Sequence, residues 1–518
     1  MGGTGSDFSR RSLSNLVTEA VYVVFAAVIG LVMVPYYVGE LGMSAYAIVP
    51  LATSVTSYVM IVADAFCSSV NRYLVVSLER DSREEVSVVF GTSMFSVLRI
   101  AVMVLPAMML LAYLSPMVFD ISGSSATSVR VLFMTVLVSA LVVAVGSCFN
   151  NALVSCNKLY SINIARISYL VIQVVMVLVM FRFGVPRLEY IGLAYLIAST
   201  SYLILSYILM RRDFPWLRVS LGKRDGGYLR DMDRLSVWTV LNRLGSLLSL
   251  QASLIVANIM LGTYEEGSLS LAVSLVSMIG TACLAVTNVF NPFLFRHYAD
   301  GDMTAMGNTC AMGARFLSLA LAMPLAFVSV FSPEILTAWV GPEYVFLEDV
   351  IVIMFLFLTM QSAMSVLEVV PTITLGVRGL SVITLSFGAL NVSLALLLCV
   401  FTDLGMKGVA VAWTVSATLR SCVAVPMYVS GELGMRYRRL FSVQAVGMVL
   451  FTVSCLFLYL LSDIVTVPTD IPSLAVMFLA IYIVYMLVAF RVVFRKDERV
   501  GMLALMPAGI SKVMSRLI

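Results

Sequence analysis

The chain has 518 residues, of which 61% are hydrophobic and only 12% charged, with a formal net charge of +4 and a mean hydropathy of +1.01. An ordinary soluble domain is about 45–50% apolar and about 25% charged, so a water-soluble fold is excluded because it could not hide this much apolar surface. The small positive charge is explained by orientation in a membrane, and nucleic-acid binding has no support.

Apolar segments of about twenty residues, the length that crosses the hydrocarbon core, recur from the N-terminus onward. The first six are expected at 16–38, 45–69, 86–114, 129–153, 164–183 and 191–210. The first ends without a small-residue cleavage pattern, so it is read as a helix that stays rather than a signal peptide. The longest internal polar stretch, 211–234, follows the sixth segment and carries Pro215, Lys223, Arg224, Gly226 and Gly227. Six more segments are expected at 235–261, 268–293, 306–331, 350–375, 380–400 and 409–429, and a last pair at 440–461 and 474–493. Barrel strands would be about ten residues long and would alternate polar with apolar. These runs are apolar on nearly every side.

The reading is therefore an all-α polytopic membrane protein of about fourteen transmembrane helices. Its parts are an N-terminal six-helix bundle (1–210), a basic linker (211–234), a second six-helix bundle (235–432), and a two-helix extension with a tail (433–518). Lys and Arg are retained on the cytoplasmic side. With an inside N-terminus, 25 of the 33 basic residues fall on inner loops and tails, and only Arg130, Arg182, Arg187 and Lys407 on outer loops. An odd helix count would scramble this sorting, so both termini are expected in the cytoplasm of a cell or inner membrane. The two halves look weakly related. Gly192 and Gly408 open helices 6 and 12, and Arg99 with Pro106 and Arg315 with Pro324 mark helices 3 and 9; both spacings are 216 residues. Six helices per half make this a parallel pseudo-repeat.

Charges at membrane depth are costly, about 2.5–3.5 kcal/mol each on insertion scales, and usually face a cavity or a partner. They are Glu19, Asp64, Arg99, Arg243, Arg315, Glu368 and Arg420, with Arg72, Arg166 and Arg296 nearer the inner boundary. The bland reading of Arg72, Arg166, Arg296 and Glu19 is that they snorkel to headgroups. Arg99, Arg315 and Arg420 are read as structural or cavity charges. Arg243 is the preferred substrate contact, because Asn242, Ser246, Ser249 and Ser253 recur at intervals of four, three and four and draw a polar stripe beside it. Serines that merely let helices pack closely would give the same stripe. Asp64, Glu19 and Glu368 either carry a coupling proton or sodium ion or neutralise neighbouring arginines. His297 is read as a solvated boundary residue. The eight cysteines lie in or beside apolar segments without CxxC spacing, so neither a zinc site nor a disulfide framework is suggested. With no GxxxxGK[ST] loop and no hydrolytic triad, no cofactor is expected and an enzyme or ATP-driven pump is disfavoured.

The segment from helix 1 to helix 3 carries Leu41 and Gly42 at a small-residue turn, Tyr46, the run Asn71, Arg72, Tyr73, and an acidic and basic loop from Glu79 to Glu85. With the Gly-x-Ala openings at Gly192 and Gly408 and the Asn291, Pro292 ending of helix 8, it resembles the polysaccharide-exporting flippases of the MATE-like multidrug/oligosaccharidyl-lipid/polysaccharide (MOP) superfamily. It looks closer to O-antigen-type flippases than to drug exporters. The resemblance implies alternating access around a cationic cavity that carries a polyprenyl-diphosphate-linked oligosaccharide to the outer leaflet. It points to helices 1, 2, 7 and 8 as cavity walls, hence Glu19, Asp64, Arg72, Arg243 and Arg296, with Asn242 and Ser246 beside Arg243. An acidic Glu19 departs from what a peptidoglycan-precursor flippase would show. By the same resemblance helices 13 and 14 would offer a groove for the lipid tail, the partners would be membrane lipids, glycosyltransferases or a polysaccharide polymerase, and a monomer is expected. The competing readings are an ion-coupled exporter of small organic cations, which would want acidic cavity walls, and a membrane-embedded sugar polymerase, which would want longer outer loops. The tail 502–518 is read as an interfacial amphipathic helix.

Overall fold

A computed structural model describes residues 5–79, 83–155, 158–217, 226–374 and 376–494. The tail 502–518 and part of the linker lie outside them. Among the described residues there is no strand. The helices are α1 (Gly5–Leu41), α2 (Met43–Glu79), α3 (Arg83–Val118), α4 (Ala126–Ser155), α5 (Leu159–Phe183) and α6 (Leu188–Asp213). They continue with α7 (Gly226–Leu261), α8 (Thr263–Ala299), α9 (Met303–Val330), α10 (Ser332–Trp339), α11 (Glu348–Phe355), α12 (Leu358–Ala363) and α13 (Val370–Ile373). The last are α14 (Val377–Phe401), α15 (Met406–Thr418), α16 (Val425–Glu432), α17 (Tyr437–Ser462) and α18 (Ile471–Val493).

Among the described residues twelve helices are long and apolar enough to cross a membrane, or thirteen if Pro342–Phe355 and Leu358–Ile373 form one span bent by 44°. This is fewer than the fourteen expected. The expected segment 45–69 lies in α2, many of whose side chains fall outside the described set, and the expected segment 350–375 is not one straight helix. The apolar surface is arranged for lipid. Along α1, Val17, Val21, Val24, Val28 and Val32 form one face at helical spacing, and each is at least half exposed.

By Cα proximity the chain divides into two compact units. The first comprises Met1–Leu275 and Thr384–Val409. In lipid, apolar burial gives little drive between helices, and close approach over small residues takes its place. Here α4 packs on α6, and Ala140, Ala144, Ala194, Ala198 and Ser199 of these two helices are all buried. Gly192 lies against Thr135, and Gly146 lies so close to the Tyr202 ring that a Cβ would sit at 2.9 Å. Asn150 donates to the Tyr202 hydroxyl at 2.6 Å. The start of the basic stretch is pinned to this unit, since Lys158 pairs with Asp213 at 3.1 Å and the Arg83 guanidinium lies over the Trp216 ring.

One-residue turns join α1 to α2 and α7 to α8. Gly42 (φ +79°) and Gly262 (φ +112°) make them, in a region L side chains rarely enter. The second turn is tied to the α3–α4 connection. Asp120 accepts from the Thr263 backbone N–H at 2.8 Å and its hydroxyl at 2.7 Å, and from the Ser122 hydroxyl at 2.7 Å, while Asn258 accepts from the Asp120 backbone N–H at 2.9 Å. Burial raises the carboxyl's pKa, but the bonds from Thr263 and Ser122 outweigh it and bring it to about 2. A depressed folded-state pKa gives stability that is present above the ordinary carboxylate value and lost as pH falls towards about 2. Melting of wild-type protein in detergent between pH 5 and 2 should therefore show a loss that Asp120→Asn largely lacks. Parallel profiles for the two proteins would rule the latch out.

The second unit comprises Val276–Ile383 and Ala410–Ile518. Pro324 has no N–H to give the Ala320 carbonyl four residues back, which frees that acceptor within α9. Tyr482 of α18 donates to it at 3.1 Å, and Tyr485 donates to the neighbouring Leu319 carbonyl at 2.9 Å. The C-terminal helix is thereby fixed to α9, with Phe490 and Phe494 buried beside Leu319. Gly447 of α17 lets that helix approach Ser318 of α9.

Candidate functional site at a broken membrane span

Within the second unit the bent span does not run as plain α-helix. Between α12 and α13 it tightens into a 3-10 turn, Met364–Val369, and between α15 and α16 the chain widens into a π-helical turn, Leu419–Ala424. Irregular backbone at membrane depth is tolerated where it is buried in protein or lines a cavity, and π-bulges frequently mark functional sites. In a 3-10 turn residues three apart eclipse, which aligns Ser365 with Glu368. The π turn carries Arg420.

Arg420 Nη2 donates to Glu368 Oε2 at 2.9 Å, and Nη1 reaches the Ser421 hydroxyl at 3.3 Å. The side chains are 15% and 30% exposed, so the pair is shielded enough for its charges to matter yet reachable. Polar groups continue around it. Thr287 shares a hydrogen bond with Ser365 at 2.8 Å, the Cys283 thiol donates to the Ser362 carbonyl at 3.3 Å, and Gln361 donates to Thr418 at 2.9 Å. The Cys422 carbonyl in the π turn accepts from Gln444 at 2.9 Å and from Tyr437 at 3.1 Å. Further along, Thr374 donates to Glu432 at 2.9 Å and Tyr428 to the Gly376 carbonyl at 2.7 Å. A cation beside an anion, ringed by hydroxyls and amides on two interrupted helices, can exchange its internal pairing for an anionic ligand on Arg420 or a cation on Glu368.

The other sequence candidates stand as follows. The side chains of Asp64 and Arg72 lie outside the described set. Arg243 and Ser246 are exposed on α7 and Asn242 is half-buried. The rest of that stripe packs, since Asn391 of α14 donates to the Ser249 carbonyl at 2.8 Å and to the Ser253 hydroxyl at 3.1 Å. Glu19 meets Arg166 at 4.0 Å, the outer limit of an ion pair, with both partly exposed. Arg296 is 80% exposed and meets Asp300, one turn on, at 3.8 Å, an arrangement of little energetic weight. Arg99 and Arg315 are half-buried on α3 and α9. Glu368 and Arg420 had been assigned different roles, and the fold brings them together. Gln361, Thr418, Ser365, Thr287 and Cys283 were missed, because single hydroxyls and thiols in apolar runs look like ordinary packing residues.

The family described as "Polysaccharide biosynthesis protein" matches residues 12–297, more than half of the chain. The "Uncharacterized membrane protein EpsK" of Bacillus subtilis (strain 168) is 25% identical over 404 residues, covering 78% of this chain and 80% of that relative. Among solved structures, an inward-facing multidrug resistance MATE family transporter of the MOP superfamily superposes with a TM-score of 0.65 at 14% identity, over 82% of this chain and 98% of that one. A MOP superfamily transporter from Pyrococcus furiosus Vc1 (DSM3638), described by a binding pocket of reverse polarity, gives 0.61 at 15% identity over 82% and 95%. The two-bundle MATE-like fold is thus shared.

Proposed function

We propose that this chain, which belongs to the polysaccharide biosynthesis protein family, is a transporter that moves a polyprenyl-diphosphate-linked oligosaccharide from the inner to the outer leaflet by alternating access. The observation that carries the reading is a groove of about 620 Å³ between α17 and α18, floored by Met323 of α9. Leu450, Val453, Phe457, Val484, Val488 and Val492 line it, and only Ser454 and Tyr485 bring polar side-chain atoms. An isoprenoid tail needs such a surface. For the diphosphate, the exposed Arg243 of the first unit and the Arg420 guanidinium of the second are separate candidate partners, since a guanidinium matches phosphate oxygens two at a time. Glu368 and Glu19 are the candidate coupling groups, with a proton or sodium ion as the coupling species. Both termini lie on the cytoplasmic side of the cell membrane in this reading, with glycosyltransferases or a polymerase as working partners.

The test is reconstitution in liposomes with fluorescent lipid-linked oligosaccharides of long and short tail. Val484→Trp, which fills the groove, should cut leaflet exchange of the long-tailed substrate at least tenfold and spare the short-tailed analogue. Arg243→Ala should slow both. If the wild type exchanges neither and instead exports cationic dyes, the small-cation exporter replaces this reading.

A further inference from the structure

α8 starts hard against α2. A Cβ at Gly267 would lie 2.7 Å from that of Ala47 and 3.0 Å from the Met43 sulfur. One residue earlier, at this crossing, Glu266 is fully buried, and neither carboxyl oxygen has a hydrogen-bond partner among the described residues. Tyr46 of α2 is within electrostatic reach, and its hydroxyl is within hydrogen-bonding reach of Ser270. Tyr37 of α1 stacks on Tyr46 with ring centroids 6.4 Å apart, and Tyr195 of α6 lies near both. Glu40 sits beside Tyr36 at the end of α1, Tyr264 and Glu265 precede Glu266 on α8, and Asp120 holds Thr263. The charged residues at these helix ends, Glu40, Glu265 and Asp120, are acidic. An ionised carboxylate with neither donor nor counter-charge is far costlier there than the neutral acid.

We propose that Glu266 is a proton-binding site of the transport cycle, loaded as the neutral acid in the conformation described and emptied when water reaches the α2–α8 crossing. The proposal rests on the transporter reading for its role in a cycle, while the binding itself does not. The step is simple in its balance: a carboxylate takes one proton from water on one face of the membrane and returns it to water on the other, with no other bond made or broken. A series of tyrosines leads away from the site. From Tyr46, Tyr37 and Tyr195 it continues through Tyr169, which has Tyr195 and Tyr22 as electrostatic neighbours. Tyr22 lies under the Arg166 guanidinium, itself 4.0 Å from Glu19. Tyr22 and Tyr37 are fifteen residues apart on α1, about 22 Å along the helix axis, so these tyrosines are spread along most of the length of a membrane span.

Infrared difference spectroscopy of the full-length protein in lipid bilayers tests the site without any substrate. At neutral pH the wild type should show the carbonyl stretch of a protonated carboxylic acid in an apolar setting. E266Q should lose that band, and E266D, which keeps the acid, should retain it at a shifted frequency. Glutamine is nearly isosteric with the protonated acid, so E266Q is expected to fold and melt like the wild type. The same band in E266Q, or no band in the wild type at neutral pH, would overturn the proposal. So would sodium-dependent melting of the wild type that E266Q lacks, which would make the site a carboxylate holding a metal cation. In the liposome assay an imposed pH gradient should accelerate exchange by E266Q less than exchange by the wild type, and equal acceleration of the two would remove Glu266 from the cycle. If the wild type fails to exchange lipid at all, the flippase reading falls, and the infrared result still decides the proton site.

Discussion

Arg420→Ala is expected to destabilise the protein by about 1–3 kcal/mol, the cost of leaving a partly buried polar group unsatisfied, because Glu368 is then left behind without its partner. The cost comes from the survivor. Glu368 is 30% exposed and bonded to the guanidinium at 2.9 Å, and once abandoned it is left without that bond in a span that buries Val366, Leu367 and Val370. The double variant Arg420→Met with Glu368→Gln should recover most of the loss, since no charge remains to be stranded. Melting of the wild type, Arg420→Met, Glu368→Gln and the double variant in one detergent supplies the cycle. A double variant as unstable as Arg420→Ala would mean that the π turn itself, rather than the pair, was damaged. Function should separate from stability: Arg420→Met with Glu368→Gln should fold and yet exchange lipid at least tenfold more slowly, because neither charge remains to trade its partner for a ligand.

Gly245→Val should prevent stable folding of the first unit. A Cβ at this position would lie 2.5 Å from the Leu385 nitrogen and the Thr384 carbonyl carbon, and 2.7 Å from the Leu385 Cα. These are backbone atoms of the facing helix, so no rotamer change relieves the contact. Facing Gly245 is Gly388, where an added Cβ would strike the Gly245 carbonyl and the Leu248 side chain. The same interface carries Asn391 and its bonds to the Ser249 carbonyl and Ser253 hydroxyl, and these would be lost together if α7 and α14 parted. Overpacking in a tight core costs about 1–3 kcal/mol even where side chains can yield. Here the backbone must move, so expression and monodispersity in detergent should collapse. Gly280→Ala is the control, since nothing lies within 4 Å of its added Cβ. That variant should be neutral or slightly stabilising, as Gly to Ala in a helix usually is. If Gly245→Val were tolerated as well as Gly280→Ala, the close approach of α7 and α14 would be refuted.

These two expectations mark the division between what was legible in the sequence and what was not. Segment length and hydropathy alone announced a helical membrane protein, because a backbone in lipid must satisfy its own hydrogen bonds and so leaves few alternatives. The Leu41, Gly42 turn was legible because only a residue without Cβ enters that backbone region cheaply. The expected start of helix 8 at Ser268 was late. The structure begins α8 at Thr263, and this error left Glu266 in a presumed outer loop. Polar residues at a helix start read as loop by hydropathy, and burial by a neighbouring helix is what reverses the reading.

Sequence by itself thus determined the environment of the chain, its helical class, the position of most spans, and a short roster of charges that had to be explained. Tertiary structure decided which of those charges meet. Glu368 and Arg420 are 52 residues apart, and their pairing depends on a 3-10 turn and a π turn that no hydropathy window registers. The Asn242 to Ser253 stripe had two readings in the sequence, and Asn391, arriving from α14, turned its far half into a packing face. The physical reason is general. Hydrophobic length is a property of consecutive residues and is written in order along the chain, whereas a polar contact at membrane depth is a property of two helices and is fixed only when they touch.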